Sequence, residues 1–277
     1  MTTERRTLFL LLSLALAGVF LGCNPYNEVL KSPDLEYKYA RAVGFVDSNA
    51  CFGALPILEE LAGLTRGTER GRDVQFQLGR AHFCVGDYYL ARYHLRQFSR
   101  TFPSDARAEE AQFQAAICSY RLSPSAALDQ SETKAAMEEF QLFLDRFPSS
   151  AYRDSSQQMV DDLLAKLQRK SFDNAALYHR TQQYKSATIA LRNALKEHPD
   201  TPYREEIQWL IFDSHFQYAR QSTERRKLER YNEALDAFLT FAARFPQSPR
   251  LPDAQRIQKS CLAEMERLTA TPPPSTP

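Results

Sequence analysis

Glycine is scarce in this 277-residue chain: there are nine, and none follows Gly86. No Gly-rich phosphate cradle can therefore be built in the C-terminal two-thirds. Excess charge is missing as well. Lys plus Arg total 35 against 34 Asp plus Glu, a net charge of +1, which exerts no long-range pull on nucleic acid or anionic lipid, so no nucleic-acid partner is expected. Reaction motifs are lacking too. The five histidines, His82, His94, His179, His198 and His215, show no HExxH or other paired metal spacing, and there is no GxSxG elbow. The acid pairs Glu59-Glu60, Glu109-Glu110 and Asp161-Asp162 are sequence neighbours, which point to different sides of a helix and cannot flank one scissile bond. No metal, no diffusible cofactor and no enzymatic activity are expected. Cys51, Cys84, Cys118 and Cys261 are too widely spaced for a CxxC zinc site. Each falls in a helical apolar pattern and is expected to serve as a small core hydrophobe, although an oxidising compartment would permit disulfides.

One apolar run stands out. Arg5 and Arg6 precede an almost unbroken apolar segment, Leu8 to Leu21, which ends in Phe20-Leu21-Gly22-Cys23. The run falls short of the ~20 apolar residues that a spanning helix requires. A basic n-region, an apolar h-region and a small residue before a cysteine instead describe a lipoprotein signal peptide, residues 1–22, with Cys23 as the lipid acceptor. The alternatives are a conventional secretory signal and an uncleaved helix. Cys23 would carry a covalent diacylglycerol and an acyl chain, and a protein so anchored works at a membrane surface, since a single chain holds only marginally.

Beyond the leader the chain repeats itself. Arg100-Thr-Phe-Pro103-Ser, Arg146-Phe-Pro148-Ser-Ser and Arg244-Phe-Pro246-Gln-Ser recur, with Glu197-His-Pro199-Asp-Thr as a variant. Each proline closes a helical stretch and forces an extended connection. Twelve residues before each lie Ala91, Ala136, Ala187 and Ala234, with Ala54 as the matching residue of an earlier copy. Leu78-Gly79, Ala91, Phe98 and Pro103 spell the tetratricopeptide pattern of two antiparallel helices in 34 residues. The spacing predicts an all-α fold of five tetratricopeptide helix pairs in a right-handed superhelix, at roughly 34–66, 71–102, 107–147, 168–198 and 204–245. The third and fifth pairs should have longer inner loops, Ser123 to Glu132 and Arg220 to Arg230. Met159, Val160, Leu163, Leu164 and Leu167 keep a helical apolar face with no breaker, so one long helix should run from about Arg153 to about Tyr178 as a rigid spacer. A capping helix, Asp253 to Leu268, should close the array. By domain, residues 23–33 are a lipidated linker, 34–150 hold repeats 1–3, 151–268 hold the long helix, repeats 4–5 and the cap, and 269–277 are a disordered tail.

Asn24 to Asp34 read NPYNEVLKSPD and lead through Tyr37-Lys-Tyr-Ala40 into the first repeat. With the lipid signal, the segments Ala54-Leu-Pro-Ile-Leu-Glu-Glu-Leu61, Asp129-Gln-Ser-Glu-Thr133 and Tyr203-Arg-Glu-Glu206, and the five repeats, residues 23 to 268 resemble the BamD family, most of all its Bacteroidetes versions. The resemblance implies a lipid-anchored, periplasm-facing component of the outer-membrane β-barrel assembly machinery, monomeric within a hetero-complex. Such an adaptor binds the periplasmic domains of the insertase BamA with its C-terminal repeats and unfolded outer-membrane barrel proteins with its N-terminal ones. Two residues depart from the pattern: Phe20 in the lipobox, and Phe212 where the fifth pair should have a small residue. The alternative function is a periplasmic scaffold lipoprotein that organises cell-wall or division enzymes.

Aligned first helices place Tyr39, Phe76, Phe113, Phe172 and Trp209 at one position, and Val46, Phe83, Tyr120, His179 and Phe216 two turns later on the same face. Either these rings fill the joints between helices or they line a groove. In the second case Tyr39, Phe76, Phe83, Phe113 and Tyr120, with Arg41, Arg80 and Arg121 as polar anchors, form the candidate site for an unpaired barrel strand. Arg225, Arg226, Lys227 and Arg230, in the loop expected for the fifth pair, form with Trp209 the candidate docking site for BamA. His82 is expected to be a packing residue.

Overall fold

A computed structural model describes residues 25–270. The leader, Cys23 and the tail 271–277 lie outside the described residues. Among the described residues there are twelve helices and no strand. They are α1 (Pro25–Lys31), α2 (Leu35–Asp47), α3 (Cys51–Leu64), α4 (Glu69–Cys84), α5 (Tyr88–Thr101), α6 (Ala108–Leu122), α7 (Ser131–Arg146), α8 (Arg153–Arg180), α9 (Tyr184–Glu197), α10 (Arg204–Arg220), α11 (Glu224–Arg244) and α12 (Leu251–Ala270). From α2 to α7, and again from α9 to α12, each helix packs on the next.

Local chemistry sets the helix ends. Asp34 caps α2 by accepting from the N–H groups of Glu36 (2.9 Å) and Tyr37 (3.1 Å), Thr68 caps α4 through Gly71 N (3.1 Å), and Asp87 caps α5 through Leu90 N (3.2 Å). The turns within pairs one, two and four each hold one residue in the left-handed region: Asn49 (φ 64°), Gly86 (φ 81°) and Gln182 (φ 61°). Each lies five residues before the alanine of its second helix. Ala54, Ala91, Ala136, Ala187 and Ala234 are fully buried, and a Cβ built on Gly79 would come within 2.6 Å of Leu95, so small residues set the spacing of the pairs. The fifth pair solves the same problem with bulk. Phe212 is buried edge-on against Trp209 (6.0 Å) and tilted against Phe238 (5.7 Å).

Two expectations need correction, on the fifth pair and on the cysteines. The segment expected as a lipidated linker, 23–33, holds α1 from Pro25, with Val29 buried and Tyr26 packed edge-on against Phe45 at 4.7 Å. Gly53 makes room for this contact: a Cβ there would lie 2.0 Å from the Tyr26 ring. The fifth pair has no long inner loop. Its second helix starts at Glu224, because Glu224, Lys227, Glu264 and Arg267 form ion pairs that give the first turns of α11 a partner on α12. Finally, Cys51 and Cys84 are not separate core hydrophobes but form a disulfide.

The described residues divide into two compact units, 25–123 with 131–159, and 124–130 with 160–270. In the first, α2 to α7 form three pairs, with α1 laid on α2 and α3. The second contains the fourth and fifth pairs and the cap α12 around a core of Leu191, Ile207, Phe212, Phe238 and Phe241. There the loop of the third pair is held by Lys170, whose Nζ donates to the carbonyls of Ala127 (2.9 Å) and Leu128 (3.0 Å). The helix α8 is unbroken for 28 residues, and the cap α12 runs two residues past the expected Leu268.

Candidate functional site

The aromatic stripe forms a series of clasps. Tyr39 lies under the Arg70 guanidinium (4.2 Å), Phe76 under Arg107 (5.2 Å), and Phe113 against the Tyr152 ring (4.3 Å, planes 10° apart). In the second unit Phe172 stacks on Tyr203 (4.6 Å, 4°), and Trp209 lies under Arg250 (5.3 Å). Every covering residue stands at the entrance to the next repeat or cap, and in three of the five cases it follows its ring by 31 residues. Phe76 and Phe113 retain 3% and 8% exposure. Within each unit desolvation, with cation–π attraction of ~0.5–2 kcal/mol at the three Arg-covered rings, therefore holds these joints. Phe76 and Phe113 thus fill joints between helices, and Tyr39, Phe172 and Trp209 are half-buried beneath their covers.

Around these rings runs a charge network. Arg70 pairs with Glu36 and with Asp73 (3.3 Å), Arg107 bridges Asp73 (2.8 Å) and Asp105 (2.8 Å), and Arg72 reaches Asp105 at 3.4 Å. The Arg107 hydrogen bonds hold the Asp105 carboxyl down at about 2 against some opposing desolvation. The same partnership holds Arg107 above its ordinary range.

The other proposed groove residues are dispersed. Arg80 is bound to Asp47 and Gln77, both at 3.0 Å. Phe83 is half-buried edge-on to Tyr88 (5.7 Å), Tyr120 is half-buried, and Arg121 is exposed. Arg41 is exposed and lies 5.2 Å above the Phe45 ring. What unit one does present is a surface on α5: Tyr89, Arg92, Tyr93, Arg96 and Arg100 line a shallow cleft of about 320 Å³. Their i, i+3, i+4, i+7 spacing could have revealed it. Two of its cations are engaged, Arg92 with Glu132 (2.9 Å) and Arg96 with Glu139.

The C-terminal candidates separate into two places. Arg226 and Arg230 line a cleft of about 430 Å³ together with Lys185, Arg192, His215 and Glu233. Arg226 pairs with Glu229 (2.8 Å), and Arg230 lies 3.9 Å over the Tyr218 ring. Burial first, then Arg192, lower the His215 pKa; its Nε2 lies 3.0 Å from Arg192. Lys227 faces α12 through Glu264, and Arg225 is exposed. Trp209 packs at the other end of the helix pair against Phe241 (5.9 Å), roughly 22 Å along α11 from Arg226 at ~1.5 Å per residue. These five residues do not form a single patch.

No group of three or more His, Cys, Asp or Glu could hold a metal among the described residues. His82 is buried, as a packing residue should be, and its ring stacks on His94 at 5.4 Å with planes 3° apart. Burial lowers both pKa values, that of His94 to about 4. Cys118 and Cys261 are buried thiols pushed up to about 12 by desolvation, without nucleophilic character. No described helix is long and apolar enough to cross a membrane.

Helix pairs clasped end to end, with small residues at their crossings, define an all-α repeat protein of the tetratricopeptide type. The sequence model of the family YfiO, "Outer membrane lipoprotein", matches residues 34–213, and the chain belongs to that family. No curated protein matches it. Among solved structures, the assembly chaperone of RpL4 (Acl4) is similar at 13% identity over 86% of this chain and 100% of that one, with a TM-score of 0.25. A likeness that weak carries no argument.

Proposed function

We propose that the protein is a lipid-anchored adaptor of outer-membrane β-barrel assembly, BamD-like and of the Bacteroidetes type. Cys23, processed and acylated, holds it to the outer membrane with the repeats facing the periplasm. Membership of an outer membrane lipoprotein family over residues 34–213 carries this reading. The Cys51–Cys84 disulfide supports it, because such bonds persist in oxidising compartments such as the periplasm.

Its role is binding, without bond-making. Unfolded barrel proteins engage the N-terminal repeats, where the covered clasp rings leave recognition to Arg121 and to Arg92, Tyr93, Arg96 and Arg100 of α5. Periplasmic domains of BamA dock on the C-terminal repeats through the cleft bearing Arg226 and Arg230. Opposite charge across such a rim chiefly sets the association rate and its salt dependence. The test is binding of the purified BamA periplasmic domains to wild-type protein and to an Arg226→Glu, Arg230→Glu variant at low and high salt. Weaker, less salt-sensitive binding by the variant supports this docking surface, and identical binding curves for the two proteins refute it.

A further inference from the structure

The described chain starts as a docked element, not as a tether. Pro25 is two residues from Cys23, a span of at most ~7 Å, and Tyr26 is fixed against Phe45 and in the space left by Gly53. A lipid on Cys23 would therefore hold the first repeat close to the bilayer by the end where α2 turns into α3. The residue beside Gly53 at that end is Phe52, 80% exposed and the most exposed large hydrophobic side chain among the described residues.

The neighbouring turn carries a counterpart. Tyr89, 57% exposed, holds the same place in the second pair as Phe52 in the first, the second residue of its helix. The disulfide brings the two turns together, since it joins Cys51, next to Phe52, to Cys84 at the mouth of the following turn, with Cα atoms 6.2 Å apart. The acids of these turns are engaged, Asp47 with Arg80 at 3.0 Å and Asp87 as the cap of α5, which reduces their cost beside an anionic surface. Exposed Arg41, on the ring that Tyr26 touches, adds a cation for lipid phosphates. An exposed Phe, and a Tyr with the Arg92 guanidinium 5.4 Å over its ring, have the chemistry of side chains that settle at a membrane interface.

We infer that the turn edge of the first two repeats, formed by Phe52 and Tyr89, rests in the headgroup region of the membrane that holds the Cys23 lipid. This rests on the lipid-anchor reading above. The first two repeats would then sit at a fixed orientation on the bilayer, unable to swing on a linker.

Fluorescence quenching tests this on the full acylated protein. Phe52→Trp and Tyr89→Trp are each introduced into a Trp209→Phe background, whose helicity is checked by circular dichroism, and reconstituted into phosphatidylethanolamine/phosphatidylglycerol vesicles containing a lipid with brominated acyl chains. Emission should shift to the blue and fall about twofold, as for an indole placed ~5–10 Å into the boundary, whereas Leu64→Trp in the same background, at the opposite end of α3 and 59% exposed, should stay unquenched. If the protein floats with the vesicles yet the indoles at 52 and 89 emit as in water, the edge inference is overturned and the anchor stands. Protein that carries no acyl chains and does not float removes the anchor, and this inference with it.

Discussion

Cys51, the first residue of α3, is bonded to Cys84, the last residue of α4, so a covalent link closes the joint between the first two repeats. Because a separation of 33 residues is close to one repeat length, the bond staples neighbouring units. Closing a loop of that size removes chain entropy worth ~3–4 kcal/mol from the unfolded state. A Cys51→Ser, Cys84→Ser variant should lose stability of about that size in urea unfolding, as should the reduced wild type. In native protein an alkylating reagent should leave Cys118 and Cys261 unmodified, since both are buried with thiol pKa values pushed up to about 12. Rapid native labelling of either would show that these helices do not pack as described.

Arg107 ties three features together: the Phe76 ring, Asp73 and Asp105. Arg107→Ala should cost about 2–3 kcal/mol, since it strips two carboxylates of their partner and uncovers a ring. Arg107→Lys should recover only part of this, because an ammonium cannot bond two carboxylates while lying flat on a ring. Asp105, held at about 2, adds stability that is fully present above its unfolded pKa, near 4, and is lost as pH falls through 2. Chemical denaturation from pH 7 to 2 on wild type and Arg107→Ala measures both effects. An Arg107→Ala protein as stable as wild type would show that the clasp contributes nothing.

The stacked His82–His94 pair should make stability fall in mild acid. Burial depresses the pKa of His94 to about 4, so the unfolded chain binds the proton first. The stability at stake is fully present above the unfolded value near 6.5 and is lost as pH falls through 4. With the partial exposure of the ring discounted, this amounts to on the order of 1–2 kcal/mol. In His94→Phe, unfolding midpoints between pH 7 and 4.5 should vary less than in wild type. Equal slopes would place a protonatable, solvated imidazole at 94.

Gln182 occupies the left-handed backbone region at φ 61°, at the turn position that Gly86 fills in the second pair. A residue with a Cβ is strained there by roughly 1–2 kcal/mol. Gln182→Gly should therefore stabilise the protein by about 0.5–1 kcal/mol, after the extra freedom of the unfolded chain is subtracted. A loss of stability on this substitution would contradict the turn geometry.

Much of this fold was legible in the sequence, because prolines and alanines recur at fixed intervals and each carries a steric meaning. Pro103, Pro148, Pro199 and Pro246 end helices, and Ala54, Ala91, Ala187 and Ala234 mark where pairs cross. The unbroken periodicity around Leu163 foretold α8, which extends from Arg153 to Arg180. The disulfide was not legible, since Cys51 and Cys84 meet only once two repeats are laid side by side. Nor was the start of α11, where charges at Glu224 and Lys227 read as a loop until Glu264 and Arg267 of α12 are seen across from them. The rings at Tyr39, Phe76, Phe113, Phe172 and Trp209 were recognised as equivalent. Their covers Arg70, Arg107, Tyr152, Tyr203 and Arg250 were not, because the chemistry of the cover changes while its place is kept.

The central claim, an acylated adaptor in barrel assembly, is tested most directly by purifying the tagged protein from detergent-solubilised membranes of its own host. Intact-mass spectrometry of the protein and identification of what co-elutes complete the measurement. The account predicts a mature chain that begins at a triacylated Cys23 and elutes with BamA. An N-terminus without lipid, or a lipidated protein that elutes with murein-processing or division enzymes and no BamA, would contradict it.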